Sequence, residues 1–350
     1  MKARTNDWGL ALTLGIAFGT GLWSLVAGRP EQWLIVALHA VSGLWLGLLL
    51  IPKLRRVATR LWPRDPKAWI GLLSTLLALN VLASGVAWAA GGSFVALGYN
   101  LLNWHILLGF TLVLLVSLHM LARAKPLRRA ELAGRRQALQ VARMLAGGAL
   151  LWPLQELLYD QLGTAGGRRR FTGSRLWGDF TGNAFPEVSW VADRPRPLDQ
   201  ASWTLRVEGL VARPLALGIA ELDGSDQLDA TLDCTGGFYT TQRWSGRRLG
   251  ALLDMAGVDP RAAWVGFVSV TGYRWSLPLA QAREALVAAR VGGEYLAHGH
   301  GAPARLVAPG ERGFVWVKWL AAIELRAAPD LGQLAAINSS WLSPAGRGDG

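Results

Sequence analysis

The chain has a single cysteine, Cys234, among 350 residues. No intrachain disulfide can form, and cysteine pairing carries no information about redox compartment. Charge is scarce as well, at 17% of residues against 51% apolar, with a mean hydropathy of +0.26. That composition is too apolar for one soluble domain and too mixed for a pure membrane bundle, so two unlike parts are expected. Acidic residues are outnumbered 36 to 24, a net charge of +12. The basic excess clusters in two short loops beside apolar runs, where membrane orientation accounts for it, and nucleic acid is set aside as a partner. No repeat of fixed period is present.

The long apolar runs lie before residue 160 or so, and the strand-like, turn-punctuated sequence lies after it. Runs at 8–27, 33–51, 68–90 and 101–122 each approach the roughly 20 residues that cross a bilayer core. A fifth, 142–159, carries Gln155 and Glu156. It reads as a marginal span or an interfacial helix, and a span is favoured. The expectation is therefore a helical bundle of four or five transmembrane helices.

Lys53, Arg55, Arg56, Arg60, Arg64 and Lys67 fill one loop, and Arg123, Lys125, Arg128, Arg129, Arg135 and Arg136 follow the fourth run. Both loops are expected on the cytoplasmic side, which puts everything after the fifth run outside. Gly-Arg135-Arg136-Gln-Ala-Leu139-Gln reads either as an internal twin-arginine export signal or as two more anchoring arginines. Glycine- and arginine-rich residues 161–177 read as a linker. The expected organisation is a membrane domain over 1–160, the linker, an α+β domain over 178–330 and a tail over 331–350. Strands are expected at Trp203–Val207 and Trp264–Thr271, and helices near Arg248–Ala256 and Leu279–Ala289.

Three of the five histidines stand in apolar runs, where an imidazole is costly unless a partner or metal uses it. His39 in the second run and His105 in the fourth fall within about two turns of the outer surface and can face each other at one depth. Two neutral imidazoles from facing helices suit the axial positions of a haem b, leaving no open site and favouring electron transfer. Gly43 and Gly109, one turn beyond each histidine, would let a flat macrocycle approach the backbone. His119 lies 14 residues past His105, on nearly the same face but deeper. This spacing resembles the cytochrome b subunits of formate dehydrogenase and nitrate reductase, which carry two stacked haems. The first run lacks the histidine an inner haem needs in that pattern. His119 is therefore read as a hydrogen-bonded or quinone-site residue, with a second haem as the alternative.

Cys234 sits in Leu-Asp-Cys234-Thr-Gly-Gly-Phe-Tyr-Thr-Thr-Gln-Arg-Trp244-Ser-Gly246, among glycines that allow close backbone approach, and a thiolate there is a soft ligand for a transition metal. Upstream lies Phe180-Thr-Gly-Asn183-Ala-Phe-Pro; downstream, His300-Gly-Ala-Pro-Ala-Arg305 leads through Pro309-Gly310 to Val317-Lys318-Trp319. In order and spacing these segments resemble the sulfite oxidase superfamily of molybdopterin enzymes, in particular its bacterial periplasmic methionine sulfoxide reductase branch. The resemblance implies that Cys234 ligates molybdenum and that Phe180, Thr181, Asn183 and Ala184 contact the cofactor. It further implies that His300, Arg305, Trp316, Val317 and Lys318 hold pterin and phosphate. Basic side chains suit a phosphate on independent grounds, since arginine offers it a bidentate fork. His298, beside His300, is read as a loop residue because two histidines alone make a weak metal site.

Sulfite oxidases place arginines inside the first motif and five residues after the cysteine. Here Gly182 and Tyr239 hold those positions, so part of an oxyanion pocket is missing. The sulfite oxidase C-terminal dimerisation domain is also expected to be absent, since Lys318 stands near the end of the sequence. Phe238, Tyr239 and Tyr273 would better suit a neutral S-oxide or N-oxide, with Tyr239 the candidate catalytic neighbour of Cys234. The resemblance implies a bacterial inner-membrane enzyme with a periplasmic catalytic domain, exchanging electrons between the quinone pool and an oxide substrate through haem b. A sulfite-type dehydrogenase delivering electrons to quinone, and a metal-free domain on a haem anchor, are the alternatives.

Overall fold

The computed structural model describes residues 2–57, 66–97, 99–123, 125–127, 134–188, 193, 195–224 and 226–339. Arg60, Arg64, Arg128 and Arg129, and residues 340–350 of the expected tail, lie outside these described residues. The chain divides into two compact units, Met1–Arg175 and Leu176–Gly350.

The first unit is helical: α1 (Ala3–Ser24), α2 (Trp33–Val57), α3 (Pro66–Ala89), α4 (Leu101–Arg123) and α5 (Arg135–Gln161). Among the described residues three stretches, Pro30–Val57, Trp69–Ala89 and Leu101–Leu121, are long and apolar enough to cross a membrane. The α1 and α5 helices, of 22 and 27 residues, have the length but a more mixed composition. Polar groups at the start of α1 are spent on α2: Asp7 pairs with Lys53 at 3.0 Å and Arg56 at 2.7 Å, and the Asn6 amide donates to Leu49 O at 3.2 Å. Asn100 and Asn103 exchange side-chain to backbone bonds at 2.9 and 3.3 Å, a reciprocal cap that fixes where α4 begins. Arg135 and Arg136, read as part of an export-signal-like segment, form the first turn of α5.

Residues 161–177 are not a free linker. A 3-10 turn, Ala165–Arg168, packs so tightly on the end of α3 that a Cβ at Gly166 would lie 1.9 Å from Ala89 O. Composition suggested a tether; at Gly166 the close approach is one that only glycine permits.

The second unit has an α+β fold of two sheets. Its strands are β1 (Leu205–Gly209), β2 (Leu215–Leu217), β3 (Asp226–Asp233), β4 (Phe238–Arg248), β5 (Trp264–Ser269), β6 (Arg274–Pro278), β7 (Leu286–Val291), β8 (Glu294–Tyr295), β9 (Arg305–Val307) and β10 (Leu320–Arg326). One sheet centres on the long β4, flanked by antiparallel β3 and β7, with β8 and β9 both on β7. The other runs β2-β1-β10-β5-β6, and β10 lies parallel to β1. Strict alternation along β4 buries Phe238, Thr240, Gln242, Trp244 and Gly246, the period-2 pattern of a strand with one face in the core. Helix α6 (Leu249–Ala256) buries Leu249, Leu252, Leu253 and Ala256, an i, i+3, i+4, i+7 stripe. Gly257, at φ +68°, closes it in the left-handed conformation.

The stretch expected as a helix over Leu279–Ala289 is corrected. Only Leu279–Ala282 is helical, and Leu286–Val291 is strand β7. Leu286, Val287, Ala288 and Ala289 are all fully buried or nearly so. A strand enclosed on both faces shows no alternation, and its alanines imitate helix propensity.

Candidate functional site

Cys234 stands at the tip of the β3–β4 hairpin. Its N–H donates to Phe238 O at 2.8 Å and its carbonyl accepts from Gly237 N at 3.0 Å, and the Gly236 N–H points at Sγ from 3.3 Å. The tip is hemmed in: a Cβ at Gly236 would meet Val188 Cγ1 at 3.3 Å and Sγ at 3.4 Å, and one at Gly313 would meet Cys234 Cα at 3.1 Å. The half-buried thiol is pushed up in pKa by burial, against the Gly236 N–H and the charges of Lys318 and Arg312, which favour the thiolate.

Those charges belong to a concentrated group of cations. Arg305 is 1% exposed. It donates to His300 O at 3.1 Å and Trp316 O at 3.4 Å, and its guanidinium lies 5.2 and 5.6 Å from the Trp244 and Trp316 ring centroids. Its Nε is buried without a partner, and among the described residues no carboxylate pairs with it. Burial pulls its pKa to about 10. Lys318 donates to Val188 O at 3.0 Å and to Gly299 O; burial, then the Arg305 charge, lowers it to about 8. Buried His300 stacks on Phe185 with centroids 3.8 Å apart and donates from Nε2 to Asn183 O at 3.0 Å. Burial, then Arg305, holds it at about 4, so the ring is neutral.

The segment from Trp177 to Ala184 lies along β4. Trp177 N and Phe180 N donate to Tyr239 O and Thr241 O at 3.0 and 2.8 Å, and Gln242 takes Gly182 N and gives a bond to Thr181 Oγ1, both at 3.0 Å. Asn183 spends its amide on the far loop, receiving Ala297 N and donating to Tyr295 O at 2.9 Å each. Phe180, Thr181, Asn183 and Ala184 are thereby brought against the hairpin of Cys234 and the loop of His300, three segments distant in sequence. Gly182 has φ +60°, so a side chain at this position would be strained.

Other expected residues serve differently. Trp316 and Val317 are 2% and 0% exposed and leave only backbone to offer. Phe238 belongs to the core, which corrects its reading as a pocket aromatic. Tyr273 donates to Phe314 O at 2.7 Å, and burial raises its pKa. Tyr239 remains half-exposed. His298 bonds to Pro195 O at 2.8 Å, and among the described residues no cluster of three His, Cys, Asp or Glu could hold a metal. Sequence reasoning missed Arg312 and Asp233, both buried, whose Nε and Oδ1 lie 3.6 Å apart and whose Arg312 Nη2 donates to Cys234 O at 3.3 Å. Their signal was the position of Asp233 beside the cysteine and of Arg312 inside the run toward Lys318.

In the first unit, His39 and His105 lie with ring centroids 6.1 Å apart and planes at 86°. Two imidazoles on opposite sides of one metal, each nitrogen about 2 Å from it, have centroids roughly 6 Å apart. His39 Nδ1 donates to Ala17 O at 2.8 Å and His105 Nδ1 to Val81 O at 3.0 Å. Both rings are oriented, with Nε2 left for a ligand. The rings rest on glycines: a Cβ at Gly21 would lie 3.1 Å from His39 Cε1, one at Gly85 3.0 Å from His105 Cε1, and one at Gly71 3.5 Å from His119 Cε1. Nothing lies within 4 Å of a Cβ at Gly43 or Gly109.

An α+β domain carrying its one thiol at a hairpin tip, with buried cations beside it, is the arrangement of a domain that holds an anionic metal cofactor. Residues 192–334 match the family model described as the oxidoreductase molybdopterin binding domain, a range that begins after Phe180–Ala184. The uncharacterized oxidoreductase YuiH of Bacillus subtilis is 31% identical, over 40% of this chain and 73% of its own length. The protein-methionine-sulfoxide reductase catalytic subunit MsrP of Gluconobacter oxydans is 30% identical, over 41% and 52%. The NADPH nitrate reductase of Beauveria bassiana is 29% identical, over 37% and 18%. The chain belongs to this molybdopterin-binding oxidoreductase family, within the sulfite oxidase superfamily. It spans about half the length of the methionine-sulfoxide reductase and under a fifth of the nitrate reductase.

Proposed function

We propose that this protein is a membrane-bound molybdenum oxidoreductase that draws electrons from the quinol pool through haem b and reduces an S-oxide or N-oxide on the periplasmic side of a bacterial inner membrane. The observation that carries the reading is the buried Arg305 and the half-buried Lys318, set near the lone thiol with an unfilled donor on Arg305. A buried guanidinium with no carboxylate partner among the described residues, as at Arg305, is costly, and a pterin phosphate would supply the missing charge. Cys234 would hold the metal, and the nearby charges of Lys318 and Arg312 favour its thiolate form. His300, neutral and locked to Asn183 O, would offer a fixed ring to the pterin, while Phe180, Thr181, Asn183 and Ala184 would close over it with the backbone of Trp316 and Val317. When bound, the molybdenum cofactor supplies oxygen-atom transfer.

In the membrane unit, His39 and His105 would hold haem b, which supplies one-electron transfer. Their separation fits a shared metal, their Nδ1–H groups are tied off, and the open space at Gly43 and Gly109 suits a flat ring. His119 would serve the quinone. Tyr239, half-exposed five residues past the thiol, would orient a neutral oxide in place of the arginine that binds an oxyanion.

The test is the molybdenum and haem content of the detergent-purified, fully matured chain beside Cys234→Ala and His39→Ala. One molybdenum, lost in the first variant, and one haem, lost in the second, is the expected result; wild type without molybdenum overturns the enzymatic reading. An S-oxide should oxidise pre-reduced haem. If sulfite reduces oxidised haem instead, the reaction runs outward from substrate to quinone.

A further inference from the structure

We propose that Arg175, stacked on Trp88, is the cation that binds a propionate of the haem between His39 and His105; the inference rests on that haem reading. A haem b is a flat ring with two carboxylate arms on one edge, and a protein that holds it near a membrane surface needs a cation within reach of those arms. The His105 ring rests on Gly85 of α3, whose Cβ would stand 3.0 Å from it. Three and four residues on come Trp88 and Ala89, roughly 4.5–6 Å further along the axis, near the last turn of the helix.

Two guanidinium groups converge on that helix end, and their circumstances differ. Arg169 donates to Ala89 O at 3.0 Å and is neutralised by Glu156 at 2.5 Å. Arg175 lies 3.9 Å above the Trp88 ring and donates from Nη2 to Trp88 O and Gly92 O, both at 2.8 Å. Its Nε is buried without a partner, and among the described residues no carboxylate pairs with it. Trp88 is itself held by a bond from its indole N–H to Gly173 O at 3.1 Å, so the platform under the guanidinium is fixed. A half-buried cation with no counter-charge beside an apolar bundle is unfavourable. A carboxylate matching the guanidinium fork would relieve it, and the haem edge is the anion that the histidine pair would bring to within about one helical turn.

The experiment compares the full-length detergent-purified chain with R175Q and R175K, measuring haem content and the haem midpoint potential by equilibrium redox titration. R175Q is expected to keep its haem, because both histidines remain. Its potential is expected to fall, because the lost positive charge had favoured the extra electron. The expected size is about a tenfold drop in the reduced-to-oxidised ratio at fixed ambient potential, or about 59 mV for one electron. R175K, which keeps the charge and gives up the fork, should fall by less. Haem retained in R175Q at the wild-type potential would mean that Arg175 only caps α3, and overturns the proposal. If R175Q does not fold, R175K decides, with a potential equal to the wild type's overturning it. Wild type lacking haem is a separate outcome, which removes the haem reading and this proposal with it.

Discussion

His300 makes the second unit acid-sensitive in a window of its own. The ring is 1% exposed, and burial, reinforced by the Arg305 charge, lowers its pKa from 6.5 to about 4. The folded chain keeps the neutral ring while the unfolded chain protonates it below 6.5. The unfolded state therefore binds more protons between those values, and stability falls as pH drops from 6.5 toward 4. At 1.36 kcal/mol per pH unit the whole interval is worth about 3 kcal/mol, or roughly 6–12 °C in Tm for a domain of this size. Asp223 and Asp259 are held at about 2 by bonds from Arg290 and Arg261, and their share is lost only at lower pH. The assay is scanning calorimetry of full-length protein from cells that cannot make the pterin, at several pH values across the window, beside His300→Gln. The difference between the two chains isolates this side chain. Wild type and His300→Gln losing Tm in parallel between pH 6.5 and 4.5 would refute the reasoning.

Three further outcomes are expected. Arg305→Met in cofactor-free protein should leave Tm unchanged or raise it, because it removes a buried charge without a carboxylate partner, while pterin retained on purification falls; calorimetry and cofactor extraction read the two effects. Gly85→Ala should lose haem absorbance and Gly71→Ala should retain it, since the added methyl meets His105 at 3.0 Å in one case and His119 at 3.5 Å in the other. Gly246→Ala puts a Cβ 2.0 Å from Val287 O, prising β4 from β7, and should cost on the order of 3 kcal/mol or more in a denaturant titration.

Much of this was legible in the sequence for identifiable reasons. Helices α2, α3 and α4 follow from apolar length, and His39 and His105 could be paired because helical rise converts spacing into depth. Cys234 and His300 stood out through their glycine-punctuated surroundings. Partners joined across long stretches of chain stayed hidden. Asp233 with Arg312, 79 positions apart, and Trp88 with Arg175, 87 apart, look like solvated or membrane-flanking residues until the fold brings them together. Burial misled in the opposite direction at β7, where enclosure on both faces erased the alternation of a strand. Composition read residues 161–177 as a linker, and within them Gly166 marks a tight fit against Ala89 O.

The solitary sulfur has a practical consequence. Because position 234 is the only sulfhydryl in 350 residues and is the proposed metal ligand, the intact mass of the chain after alkylation under metal-retaining or metal-stripped conditions would count occupancy at one atom, with no digestion. Each molecule carries its own tally, so a mixed preparation resolves into labelled and protected fractions in one spectrum. Maturation could then be followed molecule by molecule, separately from turnover, a separation that most multi-thiol redox enzymes deny the experimenter.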